Sequence, residues 1–236
     1  MAELAEEATT TAKTERSTRR LRLVFAVAGF GQWATFMLAG YAVYPLTGGW
    51  TPLALAIMDT ASLAYAAFVA WLAFAVFDTD DTISVLPRRW RELGLLFAAW
   101  CVGQEILTAA NVWLAPAEHL AAAEWRMQAY IQFGDLRFGW LVVSMLALAT
   151  AEEIVYRALL LRALEGFMTP ARALFVHAVI FEIVHALVYG GLRGVWFIGG
   201  LVLGHAFQRT RSLAVPTLLH AAHNTLFFAL VWYFNQ

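Results

Sequence analysis

Gly139-Trp-Leu-Val-Val-Ser144-Met-Leu-Ala-Leu-Ala-Thr-Ala-Glu152-Glu153-Ile-Val-Tyr156-Arg157 is the stretch on which the reading of this chain turns. This largely apolar run, continued to Leu160, has the length of about 20 residues that crosses a hydrocarbon core of about 30 Å. It carries three ionisable groups near one end. A charged side chain at the centre of a membrane helix costs about 2.5–3.5 kcal/mol on insertion scales, so each needs a partner or a purpose. Glu153 and Arg157 are four apart, share a helical face and can form an ion pair. Glu152 points about 100° away from Glu153, as the helical turn requires. One carboxylate can thus be neutralised while its neighbour projects elsewhere.

Runs of the same kind occur on both sides of this one. The spans expected are Leu23–Tyr44, Pro52–Phe77, Leu93–Leu114, Gly139–Leu160, Ala171–Tyr189, Val195–Gln208 and Leu213–Phe234. The sixth is short and rich in glycine, with Gly199, Gly200 and Gly204. The fold class is therefore all-α, a polytopic transmembrane helical bundle of about seven spans. Composition agrees: the 236 residues are 61% hydrophobic and 14% charged, against about half apolar and a quarter charged in soluble domains. Residues 1–22 are polar and read as a cytoplasmic tail, because no apolar stretch with a cleavage site follows the start as a secretory signal would require. Residues 23–236 form one transmembrane domain. The mixed stretch Pro116–Arg137 reads as an interfacial amphipathic helix.

Arginine sets the expected orientation. With the tail inside, the loops on that side hold Arg88, Arg89 and Arg91, then Arg162 and Arg172, then Arg209 and Arg211. The opposite side holds Arg126, Arg137 and Arg193. This positive-inside bias puts the N-terminus in the cytoplasm and the C-terminus on the opposite side. With a net charge of −1 and scattered basic residues, no nucleic-acid partner is expected. Cys101 is the single cysteine, which excludes an internal disulfide or a cysteine-rich zinc site.

Polar groups inside the spans crowd into the last four helices. The fifth span contains Phe181-Glu182-Ile-Val-His185, and the seventh contains His220-Ala-Ala-His223-Asn224. His220 and Asn224 are four apart and face the same way, while His223 lies about 60° from His220. Asp59 and Glu105, in the first three spans, read as scaffold.

Taken together, EExxxR at Glu152–Arg157, FxxxH at Phe181–His185 and HxxxN at His220–Asn224 resemble the CAAX proteases and bacteriocin-processing enzymes. That family includes the Ras-converting endopeptidases acting on prenylated CAAX proteins. Gly204 to Pro216 resembles the family's approach to its third motif, so the likeness covers about residues 144–228. Each motif alone is weak; their order, spacing and placement in separate spans make the set specific.

The resemblance implies an intramembrane endopeptidase with its active site between the last four helices. Its catalytic residues would be Glu152, His185, His220 and Asn224. Glu152 would take a proton from water, His185 would hold or share it, and His220 and Asn224 would donate to the oxyanion. Glu153, Arg157 and Phe181 would support them, with His223 and Glu182 as further candidates. No cofactor is required on this reading. Zinc is the alternative, held by Glu152, His185 and His220, although HExxH is absent. Partners would be membrane lipid and a peptide or membrane-protein substrate, prenylated if of the CAAX type.

Other classes draw on the same residues. Glu182-x-x-His185 matches half of a carboxylate di-iron site, but that architecture needs the motif twice. An inactive immunity or scaffold protein would keep the fold without the activity. A non-proteolytic enzyme acting on a lipid or isoprenoid would use the same cavity. Substrate identity does not follow from the sequence.

Overall fold

The computed structural model describes residues 22–49, 51–76, 103, 137–189 and 191–234. Among the described residues the regular structure is helical: α1 (Arg22–Thr47), α2 (Pro52–Val76), α3 (Arg137–Glu153, continued through Ile154–Leu161 and Arg162–Glu165), α4 (Pro170–Tyr189), α5 (Val195–Thr210) and α6 (Ala214–Phe234). Their bounds follow the apolar runs to within a few residues. The third expected span, Leu93–Leu114, lies outside the described residues apart from Gly103, as does Pro116–Arg137 apart from its last residue.

Among the described residues, four helical segments are long and apolar enough to cross a membrane: Arg22–Thr47, Pro52–Ala73, Phe138–Glu165 and Pro170–Val188. At 16 residues α5 is shorter, spanning about 24 Å at 1.5 Å per residue. Large apolar side chains such as Leu38, Tyr41, Phe68, Trp71 and Leu187 are exposed. In water such a surface would aggregate; in lipid it is the ordinary outside of a helical bundle.

The interior is built on α3. Ala151, Val155, Tyr156 and Leu159 pack with Ala26 of α1, Ala66, Val69 and Ala73 of α2, Phe181 of α4 and Phe207 of α5. Close approach comes from small residues, as expected where helices associate by packing rather than by escape from water. A Cβ on Gly29 would lie 3.1 Å from side-chain atoms of both Val155 and Leu159. One on Gly200 would lie 2.9 Å from the Ala178 Cα, so α5 rests almost backbone to backbone on α4. Buried polar pairs add to this: Ser62 donates to Gln32, and Ser144 donates to Asp59, which joins α2 to α3.

Beyond Glu153, α3 widens. Residues Ile154–Leu161 wind as a π-helix before a last α-turn at Arg162–Glu165. Of these eight, all but Ile154 are buried. A π-turn closes its hydrogen bonds one residue further along the chain and is found mostly at functional sites. Nothing in the apolar pattern predicted it. The start of α4 was predictable: Pro170 opens the helix, and the Thr169 carbonyl accepts its first bond from Ala173 N–H at 2.9 Å.

Candidate active site

Three helices bring their polar residues to one buried point. Glu152 and Glu153 sit where α3 passes into its π-turn, His185 lies near the end of α4, and His220 lies two turns into α6. All four are buried. The Glu152 Oε2 atom is 3.6 Å from His185 Nε2 and 3.7 Å from His220 Nε2. Both separations are too long for direct hydrogen bonds. Among the described residues Glu152 Oε2 has no hydrogen-bond partner.

The other nitrogen of each ring is fixed. His185 Nδ1 lies 2.8 Å from the carbonyl oxygen of Phe181. A carbonyl only accepts, so Nδ1 carries the proton and donates it. His220 Nδ1 lies 2.8 Å from Glu153 Oε1 and donates to that carboxylate. With Nδ1 so engaged, each ring turns its Nε2 towards Glu152. Three polar atoms therefore face one another, both nitrogens at more than hydrogen-bond distance from Glu152 Oε2. A water molecule, with two protons to give, complements that arrangement.

Glu153 is shared. Its Oε1 also accepts from Arg157 Nη1 at 2.8 Å, and both side chains are fully buried. The Arg157 guanidinium lies 4.7 Å over the ring of Phe181, a placement that stabilises a desolvated cation. Phe181 in turn packs against His185 at 4.2 Å and His220 at 6.3 Å between ring centroids. Arg157, Glu153 and Phe181 are thus linked to the two histidines by ion pair, hydrogen bond and ring contact.

Asn224 lies one turn beyond His220 on the same face of α6 and, like His223, is half-buried. Glu182 has a different task. Its Oε1 accepts from the backbone N–H groups of Arg193 and Gly194 at 2.6 and 2.8 Å, and its Oε2 from Phe197 N–H at 2.7 Å. It caps the start of α5, where unpaired N–H groups and the helix dipole favour an anion. Its carboxylate is thus engaged by the start of α5. His177, two turns before His185, is fully buried beside Tyr156 and Phe181. His205 is exposed.

Sequence reasoning missed two aromatic neighbours. Trp33 of α1 meets the His185 ring edge to face at 5.8 Å, and Trp196 of α5 lies 5.4 Å from it at a tilt of 32°. Neither stands in a polar motif, so only the packing reveals them. As a metal set, Glu152, His185 and His220 offer the right donor types for zinc. Among the described residues, however, no group of three or more His, Cys, Asp or Glu is arranged to hold a metal ion.

The three motifs thus occupy three helices around one centre, in the order the sequence gives them. Residues 134–226 match the family model of the Rce1-like type II CAAX prenyl endopeptidases. The CAAX-endopeptidase match contains every motif residue from Glu152 to Asn224, while α1 and α2 lie outside it. No curated protein and no solved structure matches the chain. With the apolar helices, the match supports an integral membrane protein whose C-terminal part is similar to the Rce1-like endopeptidases.

Proposed function

We propose that the protein is an intramembrane endopeptidase of the CAAX type that hydrolyses a peptide bond with water activated by Glu152. The observation that carries this is the convergence of Glu152 Oε2 with the Nε2 atoms of His185 and His220 at 3.6 and 3.7 Å. A water within about 3 Å of all three donates to two of them and keeps a lone pair for the scissile carbonyl. As its oxygen bonds to the carbonyl carbon, its proton passes to Glu152, and negative charge develops on the carbonyl oxygen. Asn224 supplies an N–H donor to that oxyanion, and His220 supplies a second when Glu152 relays the water's proton to its Nε2 and takes it back for the leaving amine. The carbon–nitrogen bond then breaks, the amine leaves with the proton shuttled through Glu152 or His185, and a carboxylate remains.

Glu153 and Arg157 hold His220 in the tautomer this requires. The reaction needs no metal on this reading, since the side chains present can supply the base, the donors and the water's position. The substrate is a peptide or membrane-protein segment, and the family match favours a prenylated CAAX tail. Orientation follows the arginine bias, with the N-terminus in the cytoplasm.

The test is hydrolysis by purified protein of a peptide library that includes farnesylated CAAX tails, run in ¹⁸O-water beside Glu152→Gln. One ¹⁸O in the new carboxylate, lost in the variant and unaffected by a strong zinc chelator, is the expected result. Chelator-sensitive cleavage would replace the metal-free mechanism with the zinc one. No cleavage of any peptide by a folded protein would leave an inactive scaffold or a lipid-directed enzyme.

A further inference from the structure

Trp33 belongs to the first helix, far outside the CAAX-endopeptidase match, yet it forms part of the wall around His185. Its place is fixed by the residues before it. Gly29 lets α1 lie directly on Val155 and Leu159 of α3, and Phe30 packs edge to face against Tyr156 at 5.4 Å. A tightened turn follows, with Trp33 N–H donating to the Phe30 carbonyl at 3.2 Å. The indole then reaches the His185 ring at 5.8 Å, nearly perpendicular to it, and rests on Phe36 at 6.2 Å.

Only 8% of Trp33 is exposed, and its Nε1–H is buried with no acceptor among the described residues. Indole N–H is a donor and nothing else. Buried tryptophan usually finds a partner for it, and buried polar groups without one are rare enough to need a reason. Histidine 185 offers none: its Nδ1 proton is committed to Phe181, and its Nε2 faces Glu152. A peptide lying over the catalytic water brings carbonyl oxygens past this wall every 3.3–3.6 Å or so of extended chain.

We propose that Trp33 is a substrate-binding residue, whose indole N–H donates to a backbone carbonyl of the bound peptide beside the scissile bond. The inference rests on the peptidase reading of the site. It makes α1, which carries none of the three motifs, a contributor to peptide binding and to the register in which the chain is cut. The acceptor is main-chain, so the contact sets position without reading side-chain identity.

The experiment uses Glu152→Gln protein in detergent, labelled with ¹⁵N at the indole nitrogens, and a fluorescent farnesylated peptide ending in a CAAX box. The Trp33 indole signal, assigned by its absence in Trp33→Phe, should move downfield on saturation with peptide. Trp33→Phe, which keeps the ring but not the donor, should weaken peptide binding about three- to tenfold, the effect of one neutral hydrogen bond. In otherwise wild-type protein it should raise KM by the same factor with kcat nearly unchanged. An unmoved indole signal at saturation overturns the inference while the peptidase reading stands, and it is read on the unmutated ring should Trp33→Phe fold poorly. Peptide that neither binds nor is cut overturns both.

Discussion

Glu153 holds His220 by its Nδ1 proton at 2.8 Å, and this contact decides which nitrogen of the ring is presented to Glu152. The adjacent carboxylates, side by side in sequence, take opposite ends of the same imidazole. Arg157 completes the chain by pairing with the same Glu153 oxygen. A carboxylate that orients a histidine and fixes its tautomer is a recurring device wherever the second nitrogen must do chemistry.

Glu153→Gln tests that device. The amide keeps the shape but can turn its NH₂ to His220, which would move the ring proton to Nε2. An expected fall in kcat on the order of 10²–10⁴-fold, the range for a positioned acid–base group, with little change in KM, would be read by steady-state kinetics. Wild-type kcat would remove Glu153 from the mechanism and leave it a structural residue.

Arg157→Ala should be costly to the fold itself. Both members of the pair are fully buried, and removing one partner of a buried ion pair costs about 3–5 kcal/mol because the other charge is stranded. The measurement is folded yield and thermal melting in detergent, beside Arg157→Lys. Normal melting of the alanine variant would mean that water reaches Glu153.

Glu182→Ala leaves three backbone N–H groups at the start of α5 without their acceptor. The expected loss is at least the about 1.5–3 kcal/mol of one hydrogen bond to a charged group. Hydrogen exchange at Arg193, Gly194 and Phe197 should quicken more than at the centre of α5. Unchanged exchange at those amides would show that the cap is dispensable.

Orientation is tested from the C-terminus. A fused reporter active only in the cytoplasm should stay silent if an odd number of spans separates the termini. A strong signal would overturn the expected orientation or the count of seven.

Much of this was readable in the chain because lipid simplifies the code. Runs such as Pro52–Val76 and Pro170–Tyr189 announce themselves by length and apolarity, and their ends fell within a few residues of those expected. The pairing of Glu153 with Arg157 followed from a four-residue spacing. What stayed hidden depends on rotation and tertiary contact. The interval between Glu153 and His220 carries no sign that the two touch, and Glu182 sits in a motif-like spacing with His185 while serving α5. Trp33 resembles every other aromatic residue of an apolar run until its neighbours are seen.

The π-wound segment after Glu153 has a consequence for how this helix tolerates changes in length. In an ordinary α-helix, deleting one residue turns everything beyond it by about 100° and scrambles a buried face. Where the backbone already carries surplus winding, as between Ala158 and Leu161, the same deletion can be absorbed by tightening to α geometry. Glu152, Glu153 and Arg157 would keep their register on one side, and Glu165 would keep its contacts with Gln208 and Arg211 on the other. The number of residues separating the glutamate pair from the end of its helix at Glu165 is thus elastic at a point buried in the bundle, where spacing is normally most rigid.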